Sequence, residues 1–246
     1  MLAQAVERQP LEYARWIGAG GEALTDVLAG RLLDHLDKTS TARGMRTVVR
    51  RLADRAGDLD LWLSLTTPEE RGSPDFAAAM AKRLLIADRV PEALQALEGA
   101  LAPSAGNRRW TFGRSPQAGP PALTPAWEAT SIDLLDAEGR KAEAQELRWA
   151  MFERDLSAPV LTAYLARLPD FDDVEALDRA LAHAATYADF EKALGFLMDW
   201  PAHREAAALV ERRVRDVRTP LPLKADWAAR LAQKYPDAAE RLLAAG

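Results

Sequence analysis

"LLIADRVPEALQAL" runs from Leu84 to Leu97, and "LLDAEGRKAEAQEL" runs from Leu134 to Leu147. The two stretches align with one residue of slip at the turn. Each reads as the end of one helix, a polar turn with an arginine (Arg89, Arg140), and an Ala-rich second helix. A helix pair of this kind buries its apolar face only by stacking on neighbours, which is the logic of an α-solenoid. Comparable turns are unevenly spaced along the chain, so the stack is expected to be irregular.

Helical periodicity extends outward from these stretches over nearly the whole chain, and alternating Val/Ile/Thr runs do not occur. In "RGMRTVVRRLADRAG", Met45, Val48, Val49 and Leu52 share one face, and Arg43, Arg46 and Arg50 share the opposite one, read as a solvated face. Ser73-Pro74 and Thr124-Pro125 each place an N-cap before a proline at the first helical position. The breaks suggest pairs: Ala42–Arg55 with Asp58–Leu65, Asp75–Ala87 with Glu92–Leu101, Ala126–Ala137 with Lys141–Asp155, Ala158–Arg167 with Asp173–Ala185, Phe190–Asp199 with Ala202–Val217, and Leu223–Lys234 with Asp237–Ala244. The 141–154 helix carries two apolar stripes (Ala144, Leu147 and Met151; Trp149, Phe152 and Leu156), as an inner helix of a stack requires. Residues 1–40 read as an N-terminal helical lead. Residues 41–246 read as the solenoid, with a Pro/Gly-rich insertion at 102–124.

Composition narrows the function classes. The 246 residues include no cysteine, which excludes disulfides, thiolate nucleophiles and Fe–S clusters and suits a reducing compartment. A net charge of −5 gives no global attraction to nucleic acid or an anionic membrane. The N-terminus lacks the apolar core of a signal peptide, and no apolar run approaches the ~20 residues that span a bilayer, so a cytoplasmic location is expected. Abundant Ala, and Arg in place of Lys, fit a GC-rich bacterial genome.

Several constellations invite a chemical reading. "LPDFDDVEALD" (168–178) holds Asp170, Asp172, Asp173, Glu175 and Asp178. A calcium loop needs six to eight oxygens and a tight turn, and no glycine is present. Helix capping explains more, with Asp172 as N-cap, Glu175 completing a capping box and Phe171 as the hydrophobic staple; a metal site and a partner-binding acidic knob are the alternatives. His35, His183 and His203 lack the spacing of a metal site. "GAGGEAL" (18–24) follows a helical stretch, not a strand, and reads as a hinge. No nucleophile elbow or phosphate loop occurs. "NRRWTFGR" (107–114) is the best functional candidate: Arg108, Arg109 and Arg114 flank Trp110 and Phe112, a mixture that suits a protein hot spot or base stacking. The alternative is a loop that folds back and pins Trp110 in a groove.

From about Ala53 onward the chain resembles a bacterial family of unknown function, number 6880. The resemblance rests on 134–184, "ALGFLMDWP" (193–201) and "AAALVERR" (206–213). Its most specific pieces are Arg148-Trp149-x-x-Phe152-Glu153 and Leu168-Pro169-Asp170-Phe171-x-Asp173-x-Glu175-Ala176. It implies an all-helical, tetratricopeptide-like fold and supplies no catalytic residue. The first part also looks like the helical tails that follow zinc-binding SWIM modules, although such a module needs cysteines. Members are expected to be longer at the N-terminus, which makes this chain a short member or a trimmed piece.

The expectation is an all-α superhelix, a tetratricopeptide-like irregular solenoid, acting as a non-catalytic protein-interaction scaffold without cofactor or metal. A protein or peptide partner would dock on Arg108, Arg109, Trp110, Phe112 and Arg114. The alternative is a nucleic-acid-associated accessory protein that uses the Arg-rich faces. No membrane partner is expected, and oligomeric state and partner identity are not legible in the sequence.

Overall fold

Prolines and cap residues set many of the boundaries. Thr124 accepts a hydrogen bond from the Trp127 N–H with Pro125 in the first turn; Ser73 holds the N-cap position before Pro74 with extended backbone, but its side chain makes no capping hydrogen bond. Gly57 closes a helix in the left-handed conformation (φ 74°), with the Asp58 N–H returning to the Ala53 carbonyl at 2.9 Å. The computed structural model describes residues 2–19, 24–40, 44–101, 123–218 and 220–245. They are all-helical, with no strand among the described residues, and fall into two compact units, Met1–Gly139 and Arg140–Gly246.

The first unit contains α1 (Leu2–Arg8), α2 (Pro10–Ala19), α3 (Asp26–His35), α4 (Met45–Ala56), α5 (Leu59–Ser64), α6 (Pro68–Arg71), α7 (Pro74–Ile86), α8 (Val90–Leu101) and α9 (Pro125–Ala137). The apolar face expected for α4 is buried: Met45, Val48, Val49 and Leu52 meet α2, α3 and α5. Gly44 lets α2 approach the start of α4. Its φ is +92°, and a Cβ there would lie 2.8 Å from Leu11 Cδ2. The α7–α8 pair forms as expected, and α9 packs on both of its helices.

The second unit contains α10 (Lys141–Asp155), α11 (Ala158–Leu165), α12 (Asp172–Thr186), α13 (Phe190–Asp199), α14 (His203–Arg213) continued by a 3-10 turn (Val214–Asp216), α15 (Leu221–Ala232) and α16 (Pro236–Ala244). The pairs α11–α12, α13–α14 and α15–α16 match the expected ones, and α10 packs on α11. Phe152, Leu161, Leu194, Leu197, Met198, Leu209 and Leu231 are fully buried in its core. Each such side chain is worth roughly 1.5–3 kcal/mol relative to exposure. Both expected stripes of α10 are buried or half-buried.

The two quoted stretches share one turn. Asp88 (φ 57°) and Gly139 (φ 75°) take the left-handed position, and the following arginine grips the glutamate three residues on with both ends of its fork. Arg89 bonds Glu92 at 2.6 and 2.7 Å; Arg140 bonds Glu143 at 2.7 and 2.6 Å. Arg89 also reaches Asp60 at 2.5 Å, which ties the turn to α5.

Candidate docking site

The turn between α11 and α12 begins where the Tyr164 and Leu165 carbonyls accept the Arg167 and Leu168 N–H groups. Pro169 cannot continue the helix. The chain reverses through Phe171 at φ 75° and ψ −20°, and the Pro169 carbonyl accepts the Asp172 N–H at 3.2 Å. This corrects the expected cap. Phe171 itself holds the N-cap position, Asp172 is already helical, and no side chain caps the helix. Nor is Phe171 a staple, because it is 86% exposed. Its left-handed backbone turns the ring away from the unit's core. A true capping box stands elsewhere, at Thr67 and Glu70 at the start of α6.

The result is an apolar knob with an acidic rim. Val174, three residues beyond Phe171, is 60% exposed, and Asp170, Asp172, Asp173 and Glu175 are all exposed. None of these four carboxylates forms a hydrogen bond or ion pair among the described residues. The positive start of α12 accounts for some of the acids, but not for the bare ring and isopropyl group.

Beneath the knob, α12 is firmly held. Ala176, Ala180 and Ala184 form a buried small-residue stripe. The Arg179 guanidinium stacks 3.8 Å from the Trp149 ring centroid and donates from Nη2 to Tyr164 Oη at 3.0 Å. One turn further on, His183 Nε2 lies 2.9 Å from the Glu153 carbonyl oxygen, where the protonated nitrogen donates. The Phe152 ring packs 5.4 Å from Phe196 in the core. Trp149 and Phe152 of the Arg148–Glu153 stretch are therefore explained by packing, whereas the side chains of Asp170–Glu175 are not.

The other sequence candidates have different fates. Arg108, Arg109, Trp110, Phe112 and Arg114 lie outside the described residues, as do Arg43 and the Gly20–Ala23 part of the expected hinge. The Arg46/Arg50 face, expected to be solvated, is engaged. Arg46 donates from Nε and Nη2 to the Leu65 carbonyl, and Arg50 pairs with Glu70 at 2.5 Å, so both tie α4 to the stretch 65–70 at the end of α5 and in α6. Arg213, in the basic 210–218 stretch, donates to the Tyr187 and Ala188 carbonyls. An open cavity of about 700 Å³ is lined by Ile17, Asp26, Arg51, Asp54 and Arg55. Its polar groups are mostly committed: Arg51 to the Ala14 carbonyl, Arg55 to the Leu24 carbonyl, and Asp54 to Arg83. Among the described residues, no group of three or more His, Asp or Glu side chains is placed to hold a metal ion.

A model of a family of unknown function, DUF6880, matches residues 23–245. The chain belongs to this family. No curated protein and no solved structure matches it. The DUF6880 match begins earlier than the resemblance read from residue 53. It takes in α3 and α4 as well as the Phe171 turn, and leaves α1 and α2 outside.

Proposed function

We propose that this DUF6880 chain is a non-catalytic protein-interaction scaffold of the cytoplasm, its helix pairs stacked as an irregular, right-handed, tetratricopeptide-like solenoid. Packing between helices adjacent in sequence supports the solenoid reading. The observation that carries the interaction reading is Phe171: a large aromatic side chain, 86% exposed, on a turn whose supporting helix is held by Arg179 and the alanine stripe. Rigid exposed aromatics are the residues that anchor protein interfaces. Residues 108–114 supply a second candidate anchor in Trp110. The basic groups Arg46, Arg50, Arg83 and Arg213 are tied to carbonyls or carboxylates, which weighs against an arginine surface for nucleic acid.

Affinity capture from host cells tests this reading, with the wild type compared with Phe171→Ala and Trp110→Ala chains. A shared partner set, depleted by one of the two variants, is expected. Absence of any enriched protein, together with retention on DNA that weakens steeply with salt, would replace the scaffold by the nucleic-acid reading.

A further inference from the structure

We infer that the Phe171 knob receives a basic amphipathic segment of a partner protein, with apolar side chains covering Phe171 and Val174 and Lys or Arg side chains pairing with Asp170, Asp172, Asp173 and Glu175. The inference deepens the scaffold reading and rests on it.

Chemistry selects the occupant. Phe171 lies between Asp170 and Asp172 in the chain, and Val174 lies between Asp173 and Glu175. A partner that desolvates the two apolar groups must also take these carboxylates out of water. Burying them unpaired would cost more than the apolar contact returns. Among the described residues, no side chain neutralises them: Arg179 is held by Trp149 and Tyr164, and none of the four carboxylates is paired there. The partner must therefore bring cations and apolar groups together within a few ångströms, as an amphipathic segment does with Lys beside Leu. Nucleic acids and anionic lipid surfaces meet the same rim with repulsion.

The test uses the full chain and a synthetic amphipathic peptide of Lys and Leu, with the same peptide carrying Glu for Lys as control. Binding is followed by titration calorimetry and by amide NMR shifts. The Lys/Leu peptide is expected to bind, with shifts centred on residues 168–178. Phe171→Ala weakens it roughly tenfold or more, the effect of withdrawing one buried aromatic anchor. The quadruple variant Asp170→Asn/Asp172→Asn/Asp173→Asn/Glu175→Gln weakens it at low salt and flattens the salt dependence, and the Glu/Leu peptide does not bind. Binding that survives both variants, or shifts centred elsewhere, overturns the inference. Dependence on the charges but not on Phe171 overturns it too, since a diffuse acidic surface would suffice. Phe171→Asn, which suits the left-handed backbone, serves as a second variant, and circular dichroism confirms that each variant is folded. In the host capture, loss of partners with Phe171→Ala but not with the quadruple variant sinks the basic partner and leaves the scaffold. Indifference to Phe171→Ala removes this knob from the scaffold reading.

Discussion

Arg179 lies 3.8 Å over the Trp149 ring, and this contact fastens the first half of α12 to α10. The same guanidinium bonds Tyr164 Oη on α11, so one side chain joins three helices. Stacking over an indole with simultaneous hydrogen bonding needs a planar cation, which lysine does not provide. Arg179→Ala is expected to destabilise the second unit by about 1–2 kcal/mol. Arg179→Lys should recover less than half of that loss. Urea unfolding followed by tryptophan fluorescence checks both values.

Phe171 should separate stability from binding. Its ring makes no core contact that substitution would lose, and its φ of 75° is unfavourable for an aromatic residue. Phe171→Asn is expected to leave unfolding stability unchanged or to raise it by up to about 1 kcal/mol. A loss above about 1 kcal/mol in chemical denaturation would restore the staple role.

The first unit has its own aromatic tie. Trp62 stacks on Phe76 with ring centroids 5.4 Å apart and planes 8° apart, and Arg83 covers Trp62 at 4.6 Å while bonding Asp54. Trp62 is buried, so Trp62→Ala should cost about 3–5 kcal/mol. Hydrogen exchange should show protection lost in α4, α5 and α7, and retained in α13 and α14.

Glu70 gives the first unit an acid-sensitive joint. Its carboxylate accepts from Arg50 and from the Thr67 N–H, and the Arg50 hydrogen bond, set against partial burial, holds it below the usual carboxylate range. With the folded value depressed, the stabilisation is fully present above the unfolded value of about 4.3 and is lost as pH falls through the folded value. Glu70→Gln keeps a group able to reach the Thr67 N–H but removes the charge. It should cost no more than about 1 kcal/mol at neutral pH, because the pair is partly exposed. Its stability should also fall less than the wild type's between pH 5 and pH 3, values that bracket the usual carboxylate range of roughly 4. Thermal melts across that range measure the difference.

Local rules were readable where one short stretch contained both partners. Thr124-Pro125 needed only its neighbours to cap, and the apolar faces of α4 and α10 followed from helical spacing. Arg46 and Arg50 could not be read this way. Their partners, Leu65 and Glu70, sit 19 and 20 residues on and are brought close only when α5 folds back on α4. Arg148 was hidden for a different reason. Its partner Gln145 is only three residues away, with Nη1 donating at 2.9 Å, but its burial to 3% exposure between the two apolar stripes of α10 depends on what packs over the helix, which helical spacing does not give.

The sequence by itself determined an all-helical chain, its main breaks and the repeated polar turn with an arginine, because backbone hydrogen bonding, capping and apolar periodicity act over a few residues. Tertiary structure alone decided the meaning of "LPDFDDVEALD". Read in isolation, its acids and its Phe form a tidy cap. In the folded unit, the reversal between α11 and α12 puts Phe171 in the left-handed region, moves the cap by one residue, and turns the ring and four carboxylates to solvent. Which side of a turn faces water depends on where the flanking helices pack, and Trp149, Tyr164 and Arg179 set that from up to 22 residues away from the turn, counting from Phe171 to Trp149.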